Sequence, residues 1–585
     1  MPKNDMTFKM GGEAGQGVES TGAGFAKALA RGGLHIFGLQ DYMSRIRGGY
    51  NFFQIRVAER EIYSHDETVH LLLAFNEEAV EQHRHELVEG GGIIFDEKLK
   101  LDEEALAQRG IRAFRMPLAQ IAQDVGGARI MINTAAVGAA SGVTDYPFDY
   151  MAGVIEENFA RKGPEVVEAN LNVARAAYDY AQEHYAADFA YKLAPIEAPP
   201  RMVINGNLAI CLGAVAAGCR FVSAYPMTPA TGIIEWMSAH AARLGIVTKH
   251  TEDEIAAICM AIGAAHVGAR AMTATSGGGF SLMVEALGMA GMTETPLVVV
   301  EAQRTGPSTG MPTRTEQGDL LFVLHASQGE FPRIVLAPGT VEECFQVGAR
   351  AFNLAEKYQC PVIILTDNFL ANSLQAVDKG AFDTASVEID RGQFLTDEQL
   401  DQLGDGYKRH LITDSGISPR ALPGHPKAVF TVTSDEHDEV GHMQDEDPVN
   451  RVQQVQKRMR KLETAVNQDM NGPQIYGPAE AEVTFIGWGS TYGPLREAVD
   501  RLNAQGVKAN FLHFVDIWPF PEEKAGPLIQ SARYLVAVEN NVGGQFAQFI
   551  RTHTGRKVGK ILRYDGRPFS PEYILAHLEE VKTHA

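Results

Sequence analysis

Residues 225–231 read Tyr-Pro-Met-Thr-Pro-Ala-Thr, a stretch that sets one hydroxyl, on Thr228, between two proline rings. Each ring fixes its own φ and drives the preceding residue toward extended backbone, so this loop is stiffer than a connecting turn requires. It lies between a short apolar run, 218–224, and an amphipathic helical pattern, 232–245. A hydroxyl held that firmly suits contact with a ligand. Glu254 falls in the first turn of a helical stretch, 251–269, that carries Ala and Gly on almost every face. Such a helix lets a neighbour or a flat cofactor come close. Thr251-x-x-Glu254 also matches a capping box, in which Glu254 only bonds back to the Thr251 amide, and spacing alone favours the cap.

A third group follows the most hydrophobic strand pattern of the chain, 296–302: Arg304, Thr305, Ser308, Thr309, Thr313 and Arg314 within one loop. A guanidinium grips a carboxylate through two parallel hydrogen bonds. Ligands of open α/β sheets sit at the carboxyl ends of the strands. The loop is therefore a candidate carboxylate pocket, with a surface loop of mixed polarity as the alternative. Residues 273–280, Thr-Ala-Thr-Ser-Gly-Gly-Gly-Phe, repeat the pattern of strand, hydroxyls, glycines and helix.

Near the N-terminus, Gly-Gly-Glu-Ala-Gly-Gln-Gly (11–17) stands between a strand and a helix, where helix amides can hold a phosphate. Against the dinucleotide fingerprint it fits only as Gly12-x-Ala14-x-x-Gly17, so a nicotinamide site and a plain tight turn both stay open. Arg45 and Arg47, beside Gly48-Gly49, could meet a polyphosphate or pair with local carboxylates. The five cysteines are scattered and none forms a CxxC pair, so this chain alone is expected to hold no metal centre. There is no GxSxG elbow, P-loop or HExxH.

The elements that must position these groups follow from length and pattern. A chain of 585 residues is too long for one core. Strand–helix alternation implies parallel sheets with helices on both faces, an α/β multidomain protein. We place boundaries at 1–195, 196–378, 379–478 and 479–585. The first ends at a Pro-rich stretch; the third is polar, reads as a connector, and ends in an exposed helix. A net charge of −21 argues against a nucleic-acid surface. No apolar run approaches the roughly 20 residues that span a bilayer, and no signal-peptide core is present, so a cytoplasmic enzyme without membrane contact is expected.

Together, in this order, the motifs resemble the 2-oxoacid:ferredoxin oxidoreductases, specifically an α subunit with the γ domain fused in front. Residues 11–17 and 44–49 look like the γ domain. Residues 225–231, 251–265, 273–279 and 301–313 look like the pyrimidine-type domain of thiamine-diphosphate enzymes. Residues 538–550 look like the transketolase C-terminal domain. The resemblance puts Thr228 beside the thiazolium carbon and the bound 2-oxoacid, with Tyr225 and Pro226 lining the cofactor. It puts Glu254 on the aminopyrimidine ring nitrogen, which reverses the capping preference. Arg304 would hold the substrate carboxylate, with Thr305, Ser308, Thr309 and Arg314 as secondary contacts. Gly12, Gly15, Gly17 and Arg47 would help to cover CoA. The loop at 303–313 looks more like that of the 2-oxoglutarate members than the pyruvate ones. The reaction implied is reversible CoA-dependent oxidative decarboxylation, giving succinyl-CoA and CO2 and reducing ferredoxin. Thiamine diphosphate with Mg2+ and a [4Fe–4S] cluster would be held mainly by a separate β subunit, in a dimer of αβ heterodimers. Pyruvate or branched-chain 2-oxoacids are alternative substrates. A dinucleotide-dependent dehydrogenase and a non-catalytic scaffold are readings of a different class.

Overall fold

The computed structural model describes residues 4–44, 48–403 and 406–583. Arg45 and Arg47 lie outside them. The chain divides into two units, the first comprising the residues up to Asn205 with Asn372–Ala381 and Ser570–Tyr573.

In the first unit, strands β1 (Met6–Glu13), β2 (His35–Asp41), β3 (Tyr50–Ala58), β4 (Val69–Ala74), β5 (Leu87–Asp96), β6 (Arg112–Met116) and β7 (Arg201–Ile204) enter one sheet. β1 runs parallel to β4, with Met10 opposite Leu73. The expected all-parallel sheet is corrected here, because β3 pairs antiparallel with both β1 and β2. Phe53, Ile55 and Val57 point from β3 into the core with the two-residue period of a strand, beside Phe8 and Phe25. β1 also absorbs Gly11 and Gly12 as strand residues, leaving only residues 14–17 as the turn. Gly17 caps the helix Val18–Arg31 in the left-handed region at φ 74°, and a side chain there would meet Asn133. The glycines thus have structural reasons of their own, and the antiparallel pairing of β1 with β3 departs from a dinucleotide fold.

The second unit contains β8 (Phe221–Ala224), β9 (Val247–His250), β10 (Ala271–Thr275), β11 (Leu297–Gln303), β12 (Ile334–Leu336) and β13 (Pro361–Asp367). Adjacent strands are parallel, as a buried β11 of sequence Leu-Val-Val-Val-Glu-Ala-Gln leads one to expect. The chain then returns to the first sheet as β14 (Leu374–Asp378), giving the order β6-β5-β4-β1-β3-β2-β14-β7. The remaining strands are β15 (Gln474–Tyr476), β16 (Val483–Trp488), β17 (Ala509–Phe514), β18 (Asp516–Trp518), β19 (Leu535–Glu539) and β20 (Gly559–Leu562). β18 joins the edge of the second sheet at β12, and the others form a third sheet ordered β15-β17-β16-β19-β20. One apolar core runs from Val299 and Ile363 of the second sheet to Ile486 and Phe514 of the third and to Phe546 of the helix Gln545–Thr554.

The polar stretch after Phe382 is not a bare connector. Its helix Pro448–Gln468 was expected to be exposed, yet Gln454, Lys457 and Lys461 are fully buried. Both lysines reach the buried carboxylate of Glu294, which also accepts from His410 Nδ1 at 2.9 Å. Burial alone would raise this carboxyl, but the two ammoniums and the imidazole hold it well below its ordinary range. Among the described residues, Glu294, His410 and His437 have a spacing that could hold a metal ion, but the two ammoniums already occupy the carboxylate a cation would need. A second buried carboxylate, Glu356, gathers Arg270, Arg391 and Arg420 in the same way. Buried ion pairs, with a small apolar cluster of Leu400, Tyr407, Ala421 and Ala428, fix this stretch, so hydrophobic periodicity reveals little of its packing.

Candidate active site

The carboxyl ends of β8, β10 and β11 and the turn after β9 bring the sequence-selected groups together. β8 ends at Ala224, whose carbonyl accepts the Thr251 amide at 3.2 Å, and Ser223 Oγ donates to the Ala257 carbonyl at 2.6 Å. These bonds tie the 225–231 loop to the helix Glu254–His266. Asn207 Nδ2 donates to the Pro229 carbonyl at 2.9 Å and anchors the far end of the loop, where the Thr228–Pro229 peptide is cis. Pro229 is buried, Thr228 half-buried, and Tyr225 and Pro226 are exposed.

The capping box does not form. Asp253 is the N-cap, its Oδ1 accepting from the Ala256 amide at 2.8 Å, while Thr251 Oγ1 donates to the Asp253 carbonyl. Glu254 is left free of capping duty. It is 3% exposed, and its Oε1 has no hydrogen-bond partner. A buried carboxylate oxygen without a donor is costly unless a ligand supplies one. The wall facing it is Gly279, in the first turn of the helix Gly277–Met292; a Cβ there would lie 2.6 Å from Glu254 Oε1. Thr275 Oγ1 borders the same space and contacts Met227 Sδ at 3.9 Å.

Arg304, one residue past β11, donates from a terminal guanidinium nitrogen to the Thr228 carbonyl at 3.0 Å. That bond joins the hydroxyl loop to the arginine loop and leaves further guanidinium N–H groups for an anion. Burial lowers the pKa of the guanidinium, as expected of a partly desolvated cation. The secondary candidates divide. Thr305 is buried and donates its hydroxyl to the Thr315 carbonyl at 3.2 Å, so it holds the loop rather than lining the pocket. Arg314 closes the same loop through its backbone, accepting from the Thr305 amide and donating to the Met311 carbonyl. Its side chain packs on Gly566. Ser308 and Thr309 are exposed, Ser308 at φ 57°. Gly12, Gly15 and Gly17 lie in the first unit. Four of the five cysteines are buried, and Cys259 alone is exposed.

The site is open on one side. Ile255, Met260 and Leu282, on the two helices that flank Glu254, are 49%, 38% and 51% exposed. No helix among the described residues is long and apolar enough to cross a membrane.

The profile described as "Pyruvate flavodoxin/ferredoxin oxidoreductase, thiamine diP-bdg" matches residues 212–457. The pyruvate ferredoxin/flavodoxin oxidoreductase profile matches 7–180, and that of core domain II matches 481–574. The α subunit of a 2-oxoacid:ferredoxin oxidoreductase from Sulfolobus sp is 33% identical over 96% of this chain and 95% of its own. The 2-oxoglutarate oxidoreductase subunit KorA of Mycobacterium tuberculosis is 31% identical over 99% of this chain and 93% of its own. A solved structure of the 2-oxoglutarate:ferredoxin oxidoreductase of Magnetococcus marinus, with 2-oxoglutarate, coenzyme A and succinyl-CoA bound, superposes with a TM-score of 0.91 at 35% identity, covering 99% of this chain and all of that one. Identity of this level across nearly the full length makes the chain a member of the 2-oxoacid:ferredoxin oxidoreductase family, an α-type subunit with a thiamine-diphosphate-binding domain.

Proposed function

We propose that this chain is the γα-fused subunit of a 2-oxoglutarate:ferredoxin oxidoreductase, converting 2-oxoglutarate and CoA to succinyl-CoA and CO2 while two electrons pass singly to ferredoxin. The observation that carries the reading is the unpartnered Glu254 oxygen, buried against Gly279 next to the Thr228–Arg304 link. The donor set fits an aminopyrimidine: a carboxylate acceptor, and a glycine wall that any larger side chain would fill. Thiamine diphosphate, when bound, supplies the carbon nucleophile and the electron sink for decarboxylation.

This chain's residues bind, orient and hold protons. Glu254 accepts a hydrogen bond from the protonated pyrimidine nitrogen and so fixes which ring tautomer is present. Arg304 binds the substrate carboxylate, and its bond to the Thr228 carbonyl sets the distance between that carboxylate and the Thr228 hydroxyl. The Thr228 hydroxyl would donate to the substrate's oxo group. Gly12, Gly15, Gly17 and Arg47 of the first unit would help to cover CoA. The preference for 2-oxoglutarate rests on the form of the 303–313 loop and on the two relatives named for that substrate. A β subunit carrying the diphosphate, Mg2+ and a [4Fe–4S] cluster would cover the exposed apolar helix faces beside Glu254, and symmetric pairing would give a dimer of αβ heterodimers.

The test is anaerobic purification of the chain with its native partner, followed by viologen reduction with 2-oxoglutarate, pyruvate and a branched-chain 2-oxoacid. CoA-dependent reduction by 2-oxoglutarate above the others supports the reading. Preference for another 2-oxoacid keeps the family and overturns the substrate.

A further inference from the structure

Behind the Arg304 loop lie two acids that no part of the reaction described above uses. Glu301 is the fifth residue of β11, opposite Thr275 of β10, and is fully buried. Neither of its oxygens meets an N–H or hydroxyl donor. The group set beside it is another acid, Asp319, at the start of the helix Leu320–His325. Two carboxyls can share a hydrogen bond only if one carries a proton, because like charges at that distance repel. The charged groups facing the pair reinforce this, being themselves acids: Asp367 of β13 beside Glu301, and Glu316 of the loop beside Asp319. Burial, with Asp319 and Asp367 next to it, holds Glu301 well above the usual carboxylate range, and burial pushes Asp319 up to about 6.

The pair touches both halves of the candidate site. Glu301 is three residues before Arg304 on a continuous strand end. The Asp319 amide donates to Gln303 Oε1 at 3.0 Å, so the last residue of that strand, directly before Arg304, is tied to Asp319 as well. On the other side Asp319 Oδ2 packs on Gly277, where any Cβ would collide with it. Gly277 opens the helix turn whose Gly279 faces Glu254. We propose that Glu301 and Asp319 are a proton-sharing carboxyl pair that positions Arg304 and the first turn of the Gly277–Met292 helix, and that this positioning fails when the shared proton leaves. The positioning role rests on the assignment of Glu254 and Arg304 to the site. The existence of the pair does not.

Two measurements separate these. The first is the infrared spectrum of the full chain at neutral pH, in difference against E301Q. A C=O stretch of a protonated carboxylic acid, present in the native protein and missing from E301Q, is expected; its absence from the native protein overturns the pair. The second is the pH dependence of kcat/KM in the assembled complex, with whichever 2-oxoacid it oxidises. The native enzyme is expected to lose activity about tenfold per pH unit once the pair ionises on the alkaline side. E301A loses positioning at every pH, whereas E301Q, which restores a hydrogen-bond donor that cannot ionise, flattens the alkaline limb. An alkaline limb identical in E301Q and the native complex overturns the positioning role even where the infrared band is present. A complex that oxidises no 2-oxoacid refutes the substrate reading and with it the positioning role, while the infrared band still judges the pair.

Discussion

Glu254 and Glu294 are both buried glutamates in the second unit, and they differ in what surrounds them. Glu294 receives two lysines and a histidine, every donor supplied by the chain itself. Glu254 has an oxygen with no donor, a neighbouring Asp253 that relieves it of capping, and a glycine wall. Desolvating a carboxylate costs several kcal/mol, and a fold keeps one only where something repays it. At Glu294 the repayment is internal, and the result is structure. At Glu254 the chain supplies no donor to one oxygen, and that is what makes it a candidate for a ligand.

The comparison breaks or sharpens under substitution. The largest effect is expected from Glu254→Gln. Turnover of the assembled complex should fall by about 10²–10⁴-fold, as for loss of a positioned acid–base group, with melting of the chain unchanged or raised. A complex that melts lower and turns over normally would make Glu254 a structural residue like Glu294. Glu294→Gln should do the reverse, costing about 3–5 kcal/mol in denaturant unfolding because two buried ammoniums lose their counter-ion, while turnover per folded complex persists. The sign of its pH dependence is fixed. Because the native state holds this carboxyl low, its stabilisation is present above the unfolded value of about 4.3 and is lost as pH falls toward the folded value. The Gln variant should lack that acid-side loss. Arg304→Lys should cost about 1.5–3 kcal/mol in kcat/KM for the 2-oxoacid, the worth of a charge-assisted hydrogen bond, since an ammonium cannot reproduce the planar fork. An unchanged kcat/KM would remove Arg304 from the carboxylate pocket. The smallest effect is Asp253→Ala, about 1 kcal/mol of stability from the lost cap. If turnover also drops, Glu254 has been drawn into capping in place of Asp253.

Much of the site was legible because its chemistry coincides with unusual local sequence. Two prolines around Thr228 and two arginines after an apolar strand announce rigid polar groups at strand ends, and the structure joins Thr228 to the first of those arginines, Arg304, through one hydrogen bond. The duty of Glu254 was not legible from spacing, since Thr251-x-x-Glu254 and Asp253 at the N-cap are both acceptable starts for the same helix. Only the extended backbone at Asp253 decides between them. The role of Thr305 was misjudged because a hydroxyl's direction is set by the loop closing at Thr315. Glu301 was hidden inside a hydrophobic strand, and nothing local marks its partner eighteen positions on. The 448–468 helix misled for a related reason. Lysines on a polar stretch signal solvent unless the carboxylate they bury against, here more than 160 residues earlier, is already known. Strand β3 carries a strand's alternation, but Gly48-Gly49 and the arginines before it have the composition of a loop.

The return of the chain to its first sheet has a consequence for how this gene could be divided. β7 and β14 follow the Pro-rich stretch in sequence, yet they extend the sheet that begins with β1. A gene split at that stretch would encode an N-terminal polypeptide whose sheet stops at β2, with a row of bare amides and carbonyls along its rim. Such a polypeptide would have to recruit the missing ribbon from its sister product, shield the rim with charge, or polymerise through it. Free-standing and fused versions of this domain should therefore differ most in the residues of β2.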